Sequence, residues 1–413
     1  GLFIAIPPVL HFLRAFAHTF IVPIRRPFIA GSFYQLHKRF RPVSNAVCAS
    51  FPALRFLPFR DRFFAEKIAN CFPLRYNKFY ESSANAAPCR TPHPDFAKPG
   101  GRGYNKRQIL PYPHLPKHPK VRNVSHMLQR PPRVAAIHDL SGFGRCSLSV
   151  ILPTLSAMKV QVCPVVTAVL STHTGGLGEV VFRDLTDYLA PTLNHYRQLG
   201  LEFECVYSGF LGSLEQIDHC LEYYAAYPDA LAVVDPVMGD HGRPYRTYTP
   251  EMCRRMGELA AVADLITPNL TEACILLGIP YPTSPLRQFE VKSILARLSE
   301  LGPRYVALTG VELADGVIAN LGYDRERGDY WRVDCVYVPA SYPGTGDIFA
   351  SVMVGSLLGG DSLPMAIERA TRFLEIAIRT TFSYGSDTRY GVMLESCLGW
   401  LSTAQTFDRY RLL

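Results

Sequence analysis

From Arg133 onward the chain alternates short apolar runs with amphipathic stretches, and each apolar run ends on small or polar residues. RVAAIHDL (133–140), VQVCPVVTAVL (160–170), ECVYSGFL (204–211), ALAVVDPVM (230–238), ADLITPNL (263–270) and YVALTGVEL (305–313) read as strands. They are rich in Val, Ile and Ala on both alternating faces, so the sheet they form is covered on both sides. The helices that cover it are SLSVILPTLSAM, TEACILLG, EVKSILARLSELG and SLPMAIERATRFLEIAIRTTF, with Gly278 and Gly302 placed as C-terminal stops. The fold class is α/β: a three-layer α-β-α domain around a mostly parallel sheet.

Before that region the pattern is absent. Residues 1–126 show no sustained period of 3.6 or 2, only clusters of aromatic residues, proline and arginine such as PYPHLPKHPKVR. They carry 20 Lys+Arg against 4 Asp+Glu, a net of +16, while residues 127–413 carry 23 against 31, a net of −8; together these give the chain's +8. Sixteen of the 33 prolines also precede Met127. Two segments are therefore expected: a disordered basic extension over 1–126 and a folded domain over 127–413. Three readings of the extension stand: a basic tail meeting nucleic acid or anionic lipid, an organelle transit region, or translated upstream sequence with Met127 as the natural start. The last is favoured.

The 11 cysteines are scattered without a CxxC or paired Cys/His spacing. That argues against a zinc module or a disulfide framework, and for buried thiols in a reducing compartment. The apolar start, GLFIAIPPVLHFLRAFAHTFIVPIRR, is interrupted by Pro7, Pro8, Arg14 and Pro23, so no membrane span is expected.

Ligands of open α/β sheets gather beyond the carboxyl ends of the strands. Five segments fall there: HDLSGFGRCS (138–147), STHTGG (171–176), DPVMGDHG (235–242), TPNLTEA (267–273) and PGTGD (343–347). Singly each has an ordinary structural reading. Asp235 before Pro236 closes a turn, Glu272 caps a helix, and Asp347 is a helix N-cap beside a tight glycine loop. No GxxxxGK[ST] loop is present, so a Walker-type nucleotide site is not expected.

In this order, with SGFLGS at 208–213, the motifs resemble the ribokinase-like superfamily and, within it, the pyridoxal/pyridoxamine (vitamin B6) kinases. The resemblance spans residues 130–400. It implies ATP-dependent phosphorylation of the 5′-hydroxymethyl group of a B6 vitamer, in pyridoxal phosphate salvage, with ATP and Mg2+ as cofactors. It assigns Asp347 as catalytic base, and Gly344, Thr345 and Gly346 as an anion hole of backbone N–H groups. Asp235 and Glu272 match the metal positions with Asn269 beside them, and Asp240 is a further candidate. Thr309 and Gly310 match the place that holds ATP phosphates. Asp139, Ser141, Thr174 and Phe210 match the vitamer site. Leu170 and Phe210 stand where many relatives carry a stacking aromatic and a tyrosine. His138 and His173 are read equally as substrate contacts or as satisfied structural histidines. For Cys146, whose place early on a helix could lower its pKa, the structural reading stands ahead of a reactive thiol. The resemblance also implies a cytoplasmic homodimer. Two alternatives remain: a hydroxymethylpyrimidine kinase of the thiamine pathway with the same chemistry, and a non-catalytic binding protein acting through the basic extension.

Overall fold

The computed structural model describes residues 130–413. The expectations for residues 1–126, and for Met127 as a start, lie outside the described residues.

In chain order the first half comprises β1 (Arg133–Phe143), α1 (Leu148–Ala157), β2 (Gln161–Thr172), β3 (Phe182–Asp184), α2 (Thr186–Gln198), β4 (Cys205–Ser208), α3 (Leu214–Ala226), β5 (Leu231–Val234), β6 (Gly239–Asp240) and β7 (Arg243–Pro244). The second half comprises α4 (Pro250–Val262), β8 (Leu265–Ile266), α5 (Leu270–Leu277), α6 (Gln288–Glu300), β9 (Tyr305–Glu312), β10 (Ile318–Asp324), β11 (Asp329–Asp334), α7 (Thr345–Leu358), α8 (Leu363–Ser383) and β12 (Arg411–Leu412). Ten strands form one sheet in the order β12-β11-β10-β9-β8-β5-β4-β1-β2-β3. From β9 across to β2 the neighbours are parallel, and β3 and β10 to β12 extend the edges antiparallel. The expected three-layer, mostly parallel architecture is what the chain adopts.

Alternation along the strands builds two cores. Ala135 and Ile137 of β1, Val206 of β4 and Val234 of β5 pack with α2 to α6, whereas Val134, Ala136, Tyr207 and Val233 pack with α1, α7 and α8. Burial on both faces explains why the strands lack the polar alternation of a half-exposed sheet. Helix α7 is buried without a break from Ile348 to Leu358, held between the sheet and its neighbours α1 and α8. A helix apolar all round belongs in an interior, and only its first turn, at Thr345–Asp347, reaches the strand ends.

Local signals set several boundaries. Thr249 caps α4 ahead of Pro250, Ser213 caps α3, and Asn269 with Glu272 forms a reciprocal capping box on α5, which ends on left-handed Gly278. Two expected strands prove shorter: the run 204–211 leaves the ladder after Ser208 toward the α3 cap, and 263–270 forms a strand only at Leu265–Ile266, with an isolated bridge from Asn269 to Thr309 beyond Pro268. The antiparallel ribbon β10–β11 and the small hairpin β6–β7 were not expected, since the turns of both are charged and the strands of the hairpin are two residues each. Among the described residues no helix is long and apolar enough to cross a membrane.

The C-terminal segment is pinned by one buried acid. The carboxylate of Glu368 on α8, fully buried, accepts the backbone N–H groups of Asp408 (3.1 Å), Arg409 (2.8 Å) and Tyr410 (3.0 Å), just before β12. Glu368→Ala would leave these donors without an acceptor, a loss of about 3 kcal/mol. Urea unfolding should show a matching fall in midpoint at unchanged slope.

Candidate active site

The carboxyl ends of β1, β5, β8 and β9 and the first turn of α7 meet at one edge of the sheet, and they bring most of the expected residues together. Gly344 is the N-cap of α7, in the left-handed conformation (φ 79°), and a Cβ there would collide with the Arg145 carbonyl. Glycine is therefore required by both torsion and space. Asp347 is the third residue of the helix, and its carboxylate points across to the β1–α1 loop, where the Ser147 N–H donates to Oδ2 (2.8 Å). It does not cap its own helix. Removal from water raises its pKa to about 7; the Ser147 N–H opposes that rise and the nearby Asp139 adds to it.

Asp235 leaves β5 directly beneath, nearly fully buried, and its pKa is raised by burial and then by the negative charge of Asp347. Glu272 is also buried. Its Oε1 accepts the Met238 N–H (3.1 Å) and its Oε2 the Asn269 N–H (2.8 Å), so it ties the DPVMGD loop to α5. Burial and then Asp235 push its pKa well up, against the pull of those two N–H groups. Asn269 accepts from the Glu272 N–H and donates to the Gly239 carbonyl (2.9 Å). Glu272 and Asn269 thus do act as helix caps, while Glu272 also faces a second carboxylate. Asp240 is exposed on the β6–β7 hairpin beside His241, near enough for its charge to add a little to the rise of Glu272.

Beside α7 opens a cleft of about 230 Å³. Thr309, Gly310, Thr345 and Gly346 line its polar end, and Val336, Val338, Phe349, Leu374 and Ile378 its apolar flank. The bend at Gly310 (φ 64°) is held by Asn320, whose Oδ1 accepts the Gly310 N–H (2.9 Å) and whose amide donates to Thr371 (2.8 Å). A phosphate-sized polar end joined to an apolar slot suits a nucleotide.

Asp139, whose charge reaches Asp347, and Ser141 are both buried, with the Ser141 hydroxyl donating to Asp139 (3.1 Å). Burial raises the Asp139 pKa, opposed by the hydroxyls of Ser147 and Ser141. Thr174 is exposed in the loop after β2. Phe210 turns partly into the core, edge-on to Tyr248 at 6.0 Å, and Leu170 is buried, so neither offers a full aromatic face.

The two histidines resolve differently. His138 is fully buried with neither ring nitrogen hydrogen-bonded, and burial lowers its pKa to about 3, leaving a neutral ring edge-on to Tyr207 at 4.3 Å. His173 is a satisfied loop histidine: Nδ1 accepts the Gly175 N–H (2.9 Å) and Nε2 meets the Arg389 carbonyl (2.5 Å), which fixes the Nε2–H tautomer. Cys146 lies just before the N-cap of α1, and burial, followed by Asp347 and Asp139, pushes its thiol up to about 12. The expectation that this position could lower its pKa fails, because two carboxylates and burial outweigh the helix end.

Sequence reasoning missed Ser147, Tyr207 and Asn320. Ser147 has a strained backbone (φ 49°, ψ −137°) that no local residue signals. Tyr207 sits on the α7 face of β4 inside an apolar run, and a lone polar Asn320 within ANLGY was the one available cue.

The phosphomethylpyrimidine kinase family model matches residues 152–391. The chain is 44% identical to a Bacteroides thetaiotaomicron protein assigned as a phosphomethylpyrimidine kinase and crystallised with pyridoxal, with a TM-score of 0.66 over 69% of this chain and 100% of that one. Pyridoxal kinase from Lactobacillus plantarum is 32% identical, with a TM-score of 0.61 over 65% of this chain and 96% of that one. The chloroplastic thiamine biosynthetic bifunctional enzyme of Arabidopsis thaliana is 27% identical over 256 residues, covering 61% of this chain but 47% of the enzyme, so the chain spans about half of that relative's length. With the parallel sheet and the glycine-led helix, these matches show that the chain belongs to the phosphomethylpyrimidine kinase family of kinases, in the ribokinase-like superfamily that also holds the pyridoxal kinases.

Proposed function

We propose that the chain is an ATP-dependent kinase for the 5′-hydroxymethyl group of a B6 vitamer. The observation that carries the chemistry is that Asp347 follows directly on Thr345 and Gly346, which line the cleft with Thr309 and Gly310, and feels the charge of buried Asp139, to which Ser141 donates. On this reading the γ-phosphoryl group of ATP lies against the N–H groups of Gly344, Thr345 and Gly346, at a helix end that favours negative charge. Asp347 takes the proton of the hydroxymethyl group as its oxygen bonds to the γ-phosphorus. The bond from that phosphorus to the bridging oxygen breaks, and ADP leaves. The protein's work is positioning and charge stabilisation. The choice of a B6 vitamer over hydroxymethylpyrimidine is supported by the pyridoxal in the crystals of the Bacteroides relative.

Among the described residues no group of three or more Asp, Glu, His or Cys side chains is arranged to hold a metal. The fit to Mg2+ is of another kind: Asp235 and Glu272 are buried carboxylates, each raised first by burial, with Asp347 adding to the rise of Asp235 and Asp235 to that of Glu272, a crowding of negative charge that one divalent cation would relieve. Mg2+ is commonly held by one or two carboxylates, water and substrate phosphate. A bound Mg2+ would be held by Asp235 and Glu272 and would neutralise phosphate charge. Asp240, out on the hairpin, is the weaker candidate.

Asp347→Asn should lower turnover at least about 100-fold with little change in melting temperature. In the wild type, kcat/KM for the acceptor should fall as pH drops through about 7, because the raised carboxyl must be ionised to act as a base. Near-normal turnover by the variant would overturn the assignment. The raised carboxyls also set the stability of the ligand-free protein. Their folded pKa values exceed their unfolded ones, so the stability they allow is present at low pH and lost as pH rises through the folded values. Asp235→Asn should therefore melt about 2–4 °C higher than wild type at pH 8, show a smaller gain at pH 5 and none below about pH 4, and lose activity. Finally, a chain begun at Met127 should keep full activity. Salt-sensitive nucleic-acid binding that vanished with residues 1–126, with no kinase activity in either form, would favour the binding-protein alternative.

A further inference from the structure

A flat heteroaromatic acceptor needs an apolar face, yet Leu170 is buried and Phe210 is turned into the core. Another aromatic pair stands at the same end of the sheet. Phe143, the last residue of β1, is 51% exposed, and Tyr390, from the segment after α8, is 39% exposed; their rings meet edge to face at 5.1 Å. Phe143 lies two residues beyond Ser141 and pairs in register with Thr172, at the start of the loop that carries Thr174. Exposed aromatic surface beside buried polar groups is what a ring-binding site presents.

The position of Tyr390 is enforced from two sides. The Arg145 N–H donates to the Tyr390 carbonyl (3.3 Å), and the Arg145 guanidinium pairs with Glu395 (2.9 Å). One residue earlier the Arg389 carbonyl receives His173 Nε2–H, while the Arg389 side chain donates to the Gly176 carbonyl (3.3 Å) and is braced by Asp387 (2.6 Å). Gly144 leaves the room for the His173 ring, since a Cβ there would overlap it. The segment 387–395 therefore clamps the β1–α1 loop and the Thr172–Gly176 loop together.

We propose that Phe143 and Tyr390 form the aromatic wall against which the acceptor ring rests, and that His173, through its bond to the Arg389 carbonyl, is the positioning residue that holds this wall to the Thr174 loop. The inference rests on the reading of the site as a kinase for a flat ring bearing a hydroxymethyl group. It holds for a pyridine or a pyrimidine ring alike, because stacking is indifferent to the ring substituents.

The test is steady-state kinetics of the full chain with pyridoxal, pyridoxamine, pyridoxine and hydroxymethylpyrimidine, followed by variants on whichever acceptor is turned over. Phe143→Ala and Tyr390→Ala should each raise the acceptor KM about tenfold, leave the ATP KM unchanged and alter kcat less than about twofold, while Tyr390→Phe behaves as wild type. Both side chains are exposed, so truncation hollows no core, and melting curves check this. His173→Ala should raise the acceptor KM in the same way, and His173→Gln, whose amide can both donate and accept, should restore it. If an acceptor is phosphorylated but its KM stays within twofold in both alanine variants, the aromatic wall is wrong and the kinase reading survives. Failure of His173→Gln to restore a KM raised by His173→Ala would remove the positioning role. If none of the four acceptors is phosphorylated, the kinase reading falls and this inference with it.

Discussion

Four carboxylates, Asp139, Asp235, Glu272 and Asp347, are gathered at one end of the sheet, and none forms an ion pair with Lys or Arg among the described residues. Burying carboxylates is unfavourable, and the raised pKa of each acid records its removal from water, to which neighbouring carboxylates add at Asp235, Glu272 and Asp347. The arrangement persists because the groups are attached to parts that cannot retreat. Asp139 and Asp235 leave parallel strands covered on both faces, Asp347 projects from the only turn of α7 that is not buried, and Glu272 is tied by two backbone N–H groups. A site short of positive charge is suited to a substrate that brings its own cation, as a metal-bound nucleotide does.

The same constraint explains the strained backbone at Ser147. Its N–H must face Asp347 while its hydroxyl stays within reach of Asp139, and the torsions φ 49°, ψ −137° are what this double contact demands. One residue then stands between the two carboxylates on the acceptor side. Strain kept at such a point, and compensated by a buried helix and sheet, is characteristic of a site fixed in advance of its ligands.

Much of this was legible in the sequence, for a physical reason. Strands buried on both faces must be apolar, helices need caps, and a backbone that approaches a phosphate needs glycine, so GTGD, DPVMGD and TPNLTE each carry a local signature. The ordinary reading of one motif was also right: Asn269 and Glu272 do form a capping box. What could not be read was whatever joins distant segments. The contact from Ser147 to Asp347 spans 200 residues and that from His173 to Arg389 spans 216, and no periodicity encodes either. The antiparallel edge was missed because β10 and β11 meet across a charged turn and β12 is two residues long.

The third-residue position of Asp347 in α7 matters more than the presence of an acid there. Had its side chain folded back as an N-cap, it would have occupied the helix-end N–H groups and placed negative charge where, on the proposed reading, a phosphate sits. Instead Gly344, which has no side chain, takes the cap position, and no side chain accepts from the first turn. The free donors are left for an anion. The carboxylate, aimed sideways and steadied by a single N–H from another segment, keeps most of its accepting capacity for a proton. Separating the helix-end donors from the proposed base within one helical turn requires glycine at the cap and the acid three residues later, which is the spacing that GTGD encodes.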